Sequence, residues 1–374
     1  MKIPSSAGEA APSAADGGAH VMRAAAAALG SPERMFDAAA SAREVAMAEL
    51  RRLLGLWRIH EPGARLGQNP EELHQLRVTA RRIDATLGLF RRQLPASLVR
   101  ARRTTKGVLR SLGAARDLDV QLSELAHYCA RLPESERAAA EPLRARLEGE
   151  RSRARARMVR ALDSEPTRRW LETLTVACTA GGEANGGERA MIVMPQRVRR
   201  RFRKLRKSVA KLRAKSPMEA YHQVRRRAKQ LRYATECGGA LFGRAADDLL
   251  KALRRLQDRL GAHQDAYIAQ NRLATLAADP ASGLPPATLF LMGRLTEHHA
   301  RVTAQAHRTL TRTWRKVRGK RWKALRARLG ELTENAEPGN GAFTVREVPP
   351  GDIAPAEPAP SGHASAPELR PVKH

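Results

Sequence analysis

The chain has 374 residues, room for a large core in one big domain or two modest ones. Its 68 Lys and Arg outnumber 38 Asp and Glu to leave a net charge of +30, while Phe, Trp and Tyr together make up only 4%. That balance argues against a strand-rich fold, favours helices of Ala, Leu, Arg and Glu, and points to a polyanionic partner: nucleic acid, an anionic surface or polyphosphate.

Residues 1–30 are rich in Ala, Ser and Gly and read as a disordered tail. Ser31-Pro32-Glu33 carries the signals of a helix start, and the helix it opens is expected to run to about His60, ended by Glu61-Pro62-Gly63. Asn69-Pro70-Glu71 starts the next helix, which closes near Leu94-Pro95. Two helices over about 96–112 and 115–131 should follow, separated by the Leu112-Gly113-Ala114 step. Beyond Pro133 comes a long Arg/Glu helix to about Leu162 and a short one around Trp170.

Residues 179–190 include Gly181, Gly182, Gly186 and Gly187 and read as a linker. Gln196 to Lys215 is strongly basic, yet Val198, Phe202, Leu205, Val209 and Leu212 form one apolar stripe, so a packed helix with a cationic outer face is expected. Ser216-Pro217 starts another helix, and further helices are expected over about 244–260, 263–278 and 285–330. From residue 331 onward the sequence turns to Pro, Gly, Ala and Glu and reads as a second disordered tail.

A duplication organises this order. His74-Gln75-Leu76-Arg77 recurs as His222-Gln223-Val224-Arg225, an offset of 222 − 74 = 148. Leu112-Gly113-Ala114 with Asp117 recurs as Leu260-Gly261-Ala262 with Asp265 at the same offset. Two matches in one register indicate two modules, repeat one over 31–178 and repeat two over 191–330.

At about 100° per residue, His222, Arg225, Arg226, Lys229, Arg232 and Tyr233 share one arc of a helix, with Val224, Ala228 and Leu231 opposite. In the first copy His74, Arg77 and Arg81 share a face, backed by Leu76, Ala80, Ile83, Leu87 and Phe90. Like charges this close repel, and apart from Asp84 no acid on the arc offsets them, so a bound anion explains the face better than fold stability does. The competing reading is a solvated face whose long side chains lie over their neighbours.

Arg103 and Lys106 occupy the positions of Lys251 and Arg254 under the same offset, flanked by Arg102, Arg110 and Arg255. Together with Arg201 and Lys204 of the basic helix, they complete the expected polyanion-binding set. The Leu-Gly-Ala step reads as a close approach of two helices, with Asp117 and Asp265 partnering nearby Arg or His.

On His-x-x-Arg-x-x-x-Arg at 74–81 with Arg-Asp-Leu-Asp at 116–119, and on His-x-x-Arg-x-x-x-Lys at 222–229 with Leu-Arg-Tyr at 231–233, the chain resembles the CHAD family, the conserved histidine α-helical domain. The resemblance spans about 35–330. It implies an all-α fold of two helical bundles related by a pseudo-twofold axis, and a basic cavity that binds inorganic polyphosphate, in association with polyphosphate granules. The second copy departs in one place: Gln264 stands where Arg116 does in the first.

The chemistry of an enzyme is not legible. A tunnel phosphatase needs Glu-x-Glu-x-Lys on a strand; Glu148-Gly149-Glu150 lacks the lysine and lies in a helical region. No phosphate loop or His-Glu-x-x-His is present, and adjacent His298 and His299 diverge by about 100° on a helix, which makes them poor co-ligands. Cys129, Cys178 and Cys237 lack paired spacing and suit a reducing cytosol, and no apolar run reaches a membrane-spanning length.

The expectation is a cytoplasmic, non-catalytic protein that binds inorganic polyphosphate, with polyphosphate-metabolising enzymes as further partners and with no cofactor, metal or membrane. The alternatives are nucleic-acid binding and a basic scaffold. Against nucleic acid, Trp57, Trp170, Trp314 and Trp322 are dispersed like core residues rather than gathered as a stacking platform.

Overall fold

The computed structural model describes residues 40–180, 187–213 and 216–335. The expected tail over 1–30, the Ser31-Pro32-Glu33 start, residues 336–374 of the tail expected from 331, and 181–186 of the expected linker lie outside the described residues.

The described residues are helical throughout, with no strand among them. The first helix, α1 (Ala42–Leu66), is opened by a capping box. The Glu44 amide donates to Ser41 Oγ at 3.2 Å, and the Ser41 amide to the Glu44 carboxylate at 2.7 Å. Its buried stripe is Val45, Ala46, Leu50, Leu53 and Trp57. The expected stop at Glu61-Pro62-Gly63 does not occur. Pro62 sits inside the helix, whose last turn buries Ala64 and is braced by Arg65 donating to Glu61, before Gly67 ends it at φ 77°. A proline removes only one backbone donor, and burial of the following turn offsets that loss.

α2 (Pro70–Leu89) has Asn69 as its cap, the side chain accepting from the Glu71 amide at 2.9 Å. Leu76, Ala80, Ile83, Leu87 and Phe90 are all buried, as the helical spacing requires.

α3 (Ala96–Cys129) corrects the sequence reading: it is one helix of 34 residues, not two. Leu112 and Ala115 are fully buried around the step. A Cβ built on Gly113 would stand 3.3 Å from Arg77 Nη2. The glycine is thus a pass for a guanidinium from α2 rather than a break in the chain. α8 (Arg244–Ala278) is likewise continuous over its 35 residues, and Gly261 stands in the same 3.3 Å relation to Arg225 Nη2.

α4 (Glu141–Asp163) and α5 (Glu165–Thr179) complete the first half. Trp170 of α5 donates to Thr105 Oγ1 at 2.9 Å and meets Trp57 edge-on, ring centroids 5.0 Å apart. The second half comprises α6 (Ala190–Lys211), α7 (Met218–Cys237), α8, α9 (Pro286–Lys316) and α10 (Trp322–Glu334). The single helix expected over 285–330 is broken at Gly319, whose ψ of −133° is non-helical, and the last helix continues past 330 with Leu332 buried. Behind the break, Trp322 stacks on Phe202 of α6 at 3.6 Å.

Helix starts repeat the offset: 190 − 42, 218 − 70 and 244 − 96 are each 148. The two halves join where α1 packs on α6 and α2 on α7. Ser41 and Arg189, one residue before α1 and α6, form an antiparallel bridge. One buried apolar cluster runs through both halves.

Candidate anion-binding cleft

The pairing of α2 with α7 decides where the charges go. Each helix buries its apolar back and turns its cationic ridge the same way, into a cleft of about 3630 Å³ between the halves. Its lining includes 25 Lys and Arg against nine Asp and Glu, a surplus of 16 positive charges.

At the centre stand Arg77 and Arg81 from α2 and Arg225, Lys229 and Arg232 from α7. Arg81 is lowered to about 10, by burial first, then by Arg77 and, across the halves, by Arg225. Lys229 is held well below the ordinary lysine value, again by burial first and then by Arg225, Arg81, Arg77 and Arg232. Lys229 makes no hydrogen bond or ion pair among the described residues. Arg77 Nη1 donates to Asp117 at 2.9 Å, and Arg225 Nη1 to the Gln264 side chain at 2.9 Å. Their Nε atoms, related by the repeat, are buried and have no hydrogen-bond partner. Buried donors of this kind are costly unless something accepts from them.

Some neutralisation occurs. Arg102 pairs with Asp84 at 2.8 Å, while Glu236 takes both Arg82 at 3.5 Å and Arg232 at 3.4 Å. Arg151 and, at 3.9 Å, Arg116 converge on Asp119. All three acids are among the nine already subtracted, so the surplus of 16 stands.

The histidines differ. The His74 pKa is lowered by burial first, then by Arg116; Glu71 pulls it upward, and Arg77 and Arg81 add smaller downward contributions. His222 Nδ1 faces Gln264 Oε1 at 3.2 Å. Both line the cleft. Gln264 stands in for Arg116 in the repeat, so the arginine that presses on His74 is replaced by an amide that bonds His222.

Fifteen of the residues expected from sequence line the cleft: His74, Arg77, Arg81, Lys106, Arg201, Lys204, His222, Arg225, Arg226, Lys229, Arg232, Tyr233, Lys251, Arg254 and Arg255. Arg103 and Arg110 do not line it; both are exposed. They stand about 100° and 80° around α3 from Arg102, which does line it. Lys251, in register with Arg103, does reach the cleft.

Sequence reasoning missed other lining cations. Arg197 and Arg200 on α6 share the outer face with Arg201 and Lys204, and Arg301, Arg308, Arg312 and Lys316 recur along α9. Their spacing of 7, 4 and 4 on α9 is a helical stripe that could have been found.

Among the described residues, no group of three or more His, Cys, Asp or Glu is placed to hold a metal ion. No helix there is long and apolar enough to cross a membrane. Glu124, on the cleft wall, is raised to about 7 by burial and by the nearby Asp265.

The sequence matches the family model of the CHAD domain over residues 48–274. Among solved structures the fold is similar to the crystal structure of the CHAD domain from the plant Ricinus communis, at a TM-score of 0.57 and 25% identity, covering 79% of this chain and 93% of that one. It is also similar to PptA from Streptomyces chartreusis, at a TM-score of 0.59 and 21% identity, covering 74% of this chain and 100% of that one, a likeness of fold alone. No curated protein matches the sequence.

Proposed function

This chain belongs to the CHAD domain family, and on that premise we propose that it binds inorganic polyphosphate in the cleft between its halves, without catalysis. The observation that carries the reading is the buried, unpartnered Nε donors of Arg77 and Arg225 beside an unpaired Lys229, at the meeting point of the two cationic ridges.

A phosphate chain is a linear array of acceptors with no bases to be read. Guanidinium forks grip its oxygens in pairs, and ammonium groups add point charge. Binding then releases counterions and weakens steeply with salt. The ligand's negative charge also favours protonated imidazole at His74, which gives that histidine a role in the bound state. The protein acts in the cytoplasm, on or near polyphosphate granules, where polyphosphate-metabolising enzymes are its neighbours.

Nucleic acid ranks second. The charge suits it, but among the cleft's lining residues Tyr233 is the one Phe, Tyr or Trp, and Arg232 covers its ring at 5.0 Å. Single-strand binders gain much of their affinity from stacked bases, which this lining does not offer. A competition assay separates the readings. Long-chain polyphosphate should displace labelled duplex DNA at far lower phosphate concentration than DNA needs to displace polyphosphate; the reverse order would transfer the assignment to nucleic acid.

A further inference from the structure

Among the described residues, Lys229 is the one lysine that is not exposed. It is half-buried on the floor of the cleft, facing Arg225 and Arg232 of its own helix and Arg77 and Arg81 of α2. Asp265 of α8 lies near enough to be influenced by it, yet stands beyond ion-pair distance, and Asp117 of α3 is engaged by Arg77. Its Nζ therefore sits among guanidiniums with no partner to hold its proton. Lys207, Lys211 and Lys323, by contrast, are exposed on the outside of their helices.

Two consequences follow from one arrangement. Crowding by burial and four arginines holds the amine well below the ordinary lysine range, and each unit of such depression raises the neutral, nucleophilic fraction about tenfold. The same arginines present forks to any phosphate group that enters. An electrophile that carries its own phosphate would thus be drawn to the position where the amine is reactive.

We propose that Lys229 is an acylation site for acyl phosphates, with Arg77, Arg81 and Arg225 seating the phosphate group while Nζ meets the acyl carbon. The neutral amine attacks that carbon and an N–C bond forms. The C–O bond to phosphate breaks, inorganic phosphate leaves with the electron pair, and the proton shed by the nitrogen passes to water. No oxidant, metal or second enzyme enters the balance. The product is an amide, which removes one titratable cation from the meeting point of the two halves. This step needs only a phosphate-bearing electrophile in the cleft and stands apart from the polyphosphate assignment.

Acetyl phosphate and acetic anhydride, applied to the full chain at neutral pH and followed by peptide mass spectrometry, test it. Acetic anhydride reports amine reactivity without phosphate guidance. The labelling rate of Lys229 relative to Lys207, Lys211 and Lys323 should be at least about tenfold higher with acetyl phosphate than with the anhydride, the effect of one charge-assisted contact to the phosphate. That preference should saturate with acetyl phosphate, fall when inorganic phosphate is added, and shrink in Arg81→Gln. Equal preference for the two reagents, or a Lys229 that labels no faster than the exposed lysines, would overturn the proposal.

Discussion

Arg77→Gln and Arg225→Gln measure what the unpartnered donors are for. In the free protein each arginine spends one Nη on a neighbour, Asp117 or Gln264, and leaves Nε unused. The Arg77–Asp117 pair has its carboxylate side chain 53% exposed, so solvent screening limits its contribution to stability to about 0–1 kcal/mol. A guanidinium–phosphate contact is a charge-assisted hydrogen bond worth about 1.5–3 kcal/mol. Each substitution should therefore weaken polyphosphate binding about 10- to 100-fold while changing folding stability by about 1 kcal/mol or less. Arg103→Gln and Arg110→Gln remove the same charge from α3 outside the cleft and should cost only the smaller long-range term. Fluorescence anisotropy with end-labelled polyphosphate at fixed salt reads the affinities, and urea unfolding reads the stabilities. If the exterior pair weakens binding as much as the cleft pair, net charge rather than the cleft governs binding, and the site assignment fails.

Affinity should also rise as pH falls from 8 to 6. His74 is lowered in the free protein, and a bound polyanion favours its protonated form, so binding takes up protons; the gain is lost as pH rises through the bound-state value. Glu124 acts in the same direction, since its carboxylate, raised to about 7, sheds its repulsion of the ligand on protonation. Isothermal titration in buffers of different ionisation enthalpy should show uptake that Glu124→Gln and His74→Ala each reduce; the same uptake in both variants would remove these groups from the account. Gly261→Ala should raise the melting temperature, because Ala exceeds Gly in helix propensity by about 1 kcal/mol and the atom it would approach is the movable end of Arg225. The same change should weaken polyphosphate binding by crowding that guanidinium, and unchanged affinity would contradict the role given to the glycine. Trp57→Ala, at a fully buried side chain packed against Trp170, should cost about 3–5 kcal/mol in denaturant titration, with a loss below about 1 kcal/mol speaking against the core described.

Much of this was legible in the sequence because both periodicities it rests on are local. The 148-residue offset needs only matching letters, and the apolar back of α2 follows from a 3.6-residue repeat. The errors share a cause of their own. Gly113 and Pro62 carry the letters of a break, and whether a break occurs depends on what packs across them. At Gly113 it is Arg77 from another helix, and at Pro62 it is the burial of the next turn, neither of which is a local property. Register alone puts Arg103 in the site, and Arg110 follows only as its neighbour along the helix. Register carries residue identity from one half to the other, but not the angle each helix turns to the cleft. The cations of α9 were missed because that helix lies outside the matched motifs and reaches the cleft only through tertiary packing.

A structure of the full chain with a defined medium-length polyphosphate tests the central claim most directly. The expected result is one continuous phosphate chain in the cleft, with oxygens accepting from Arg77 and Arg81 of one half and from Arg225 and Lys229 of the other. A chain lying instead along Arg203, Arg206 and Lys207 of α6, which are exposed and do not line the cleft, with those four side chains unengaged, would contradict it.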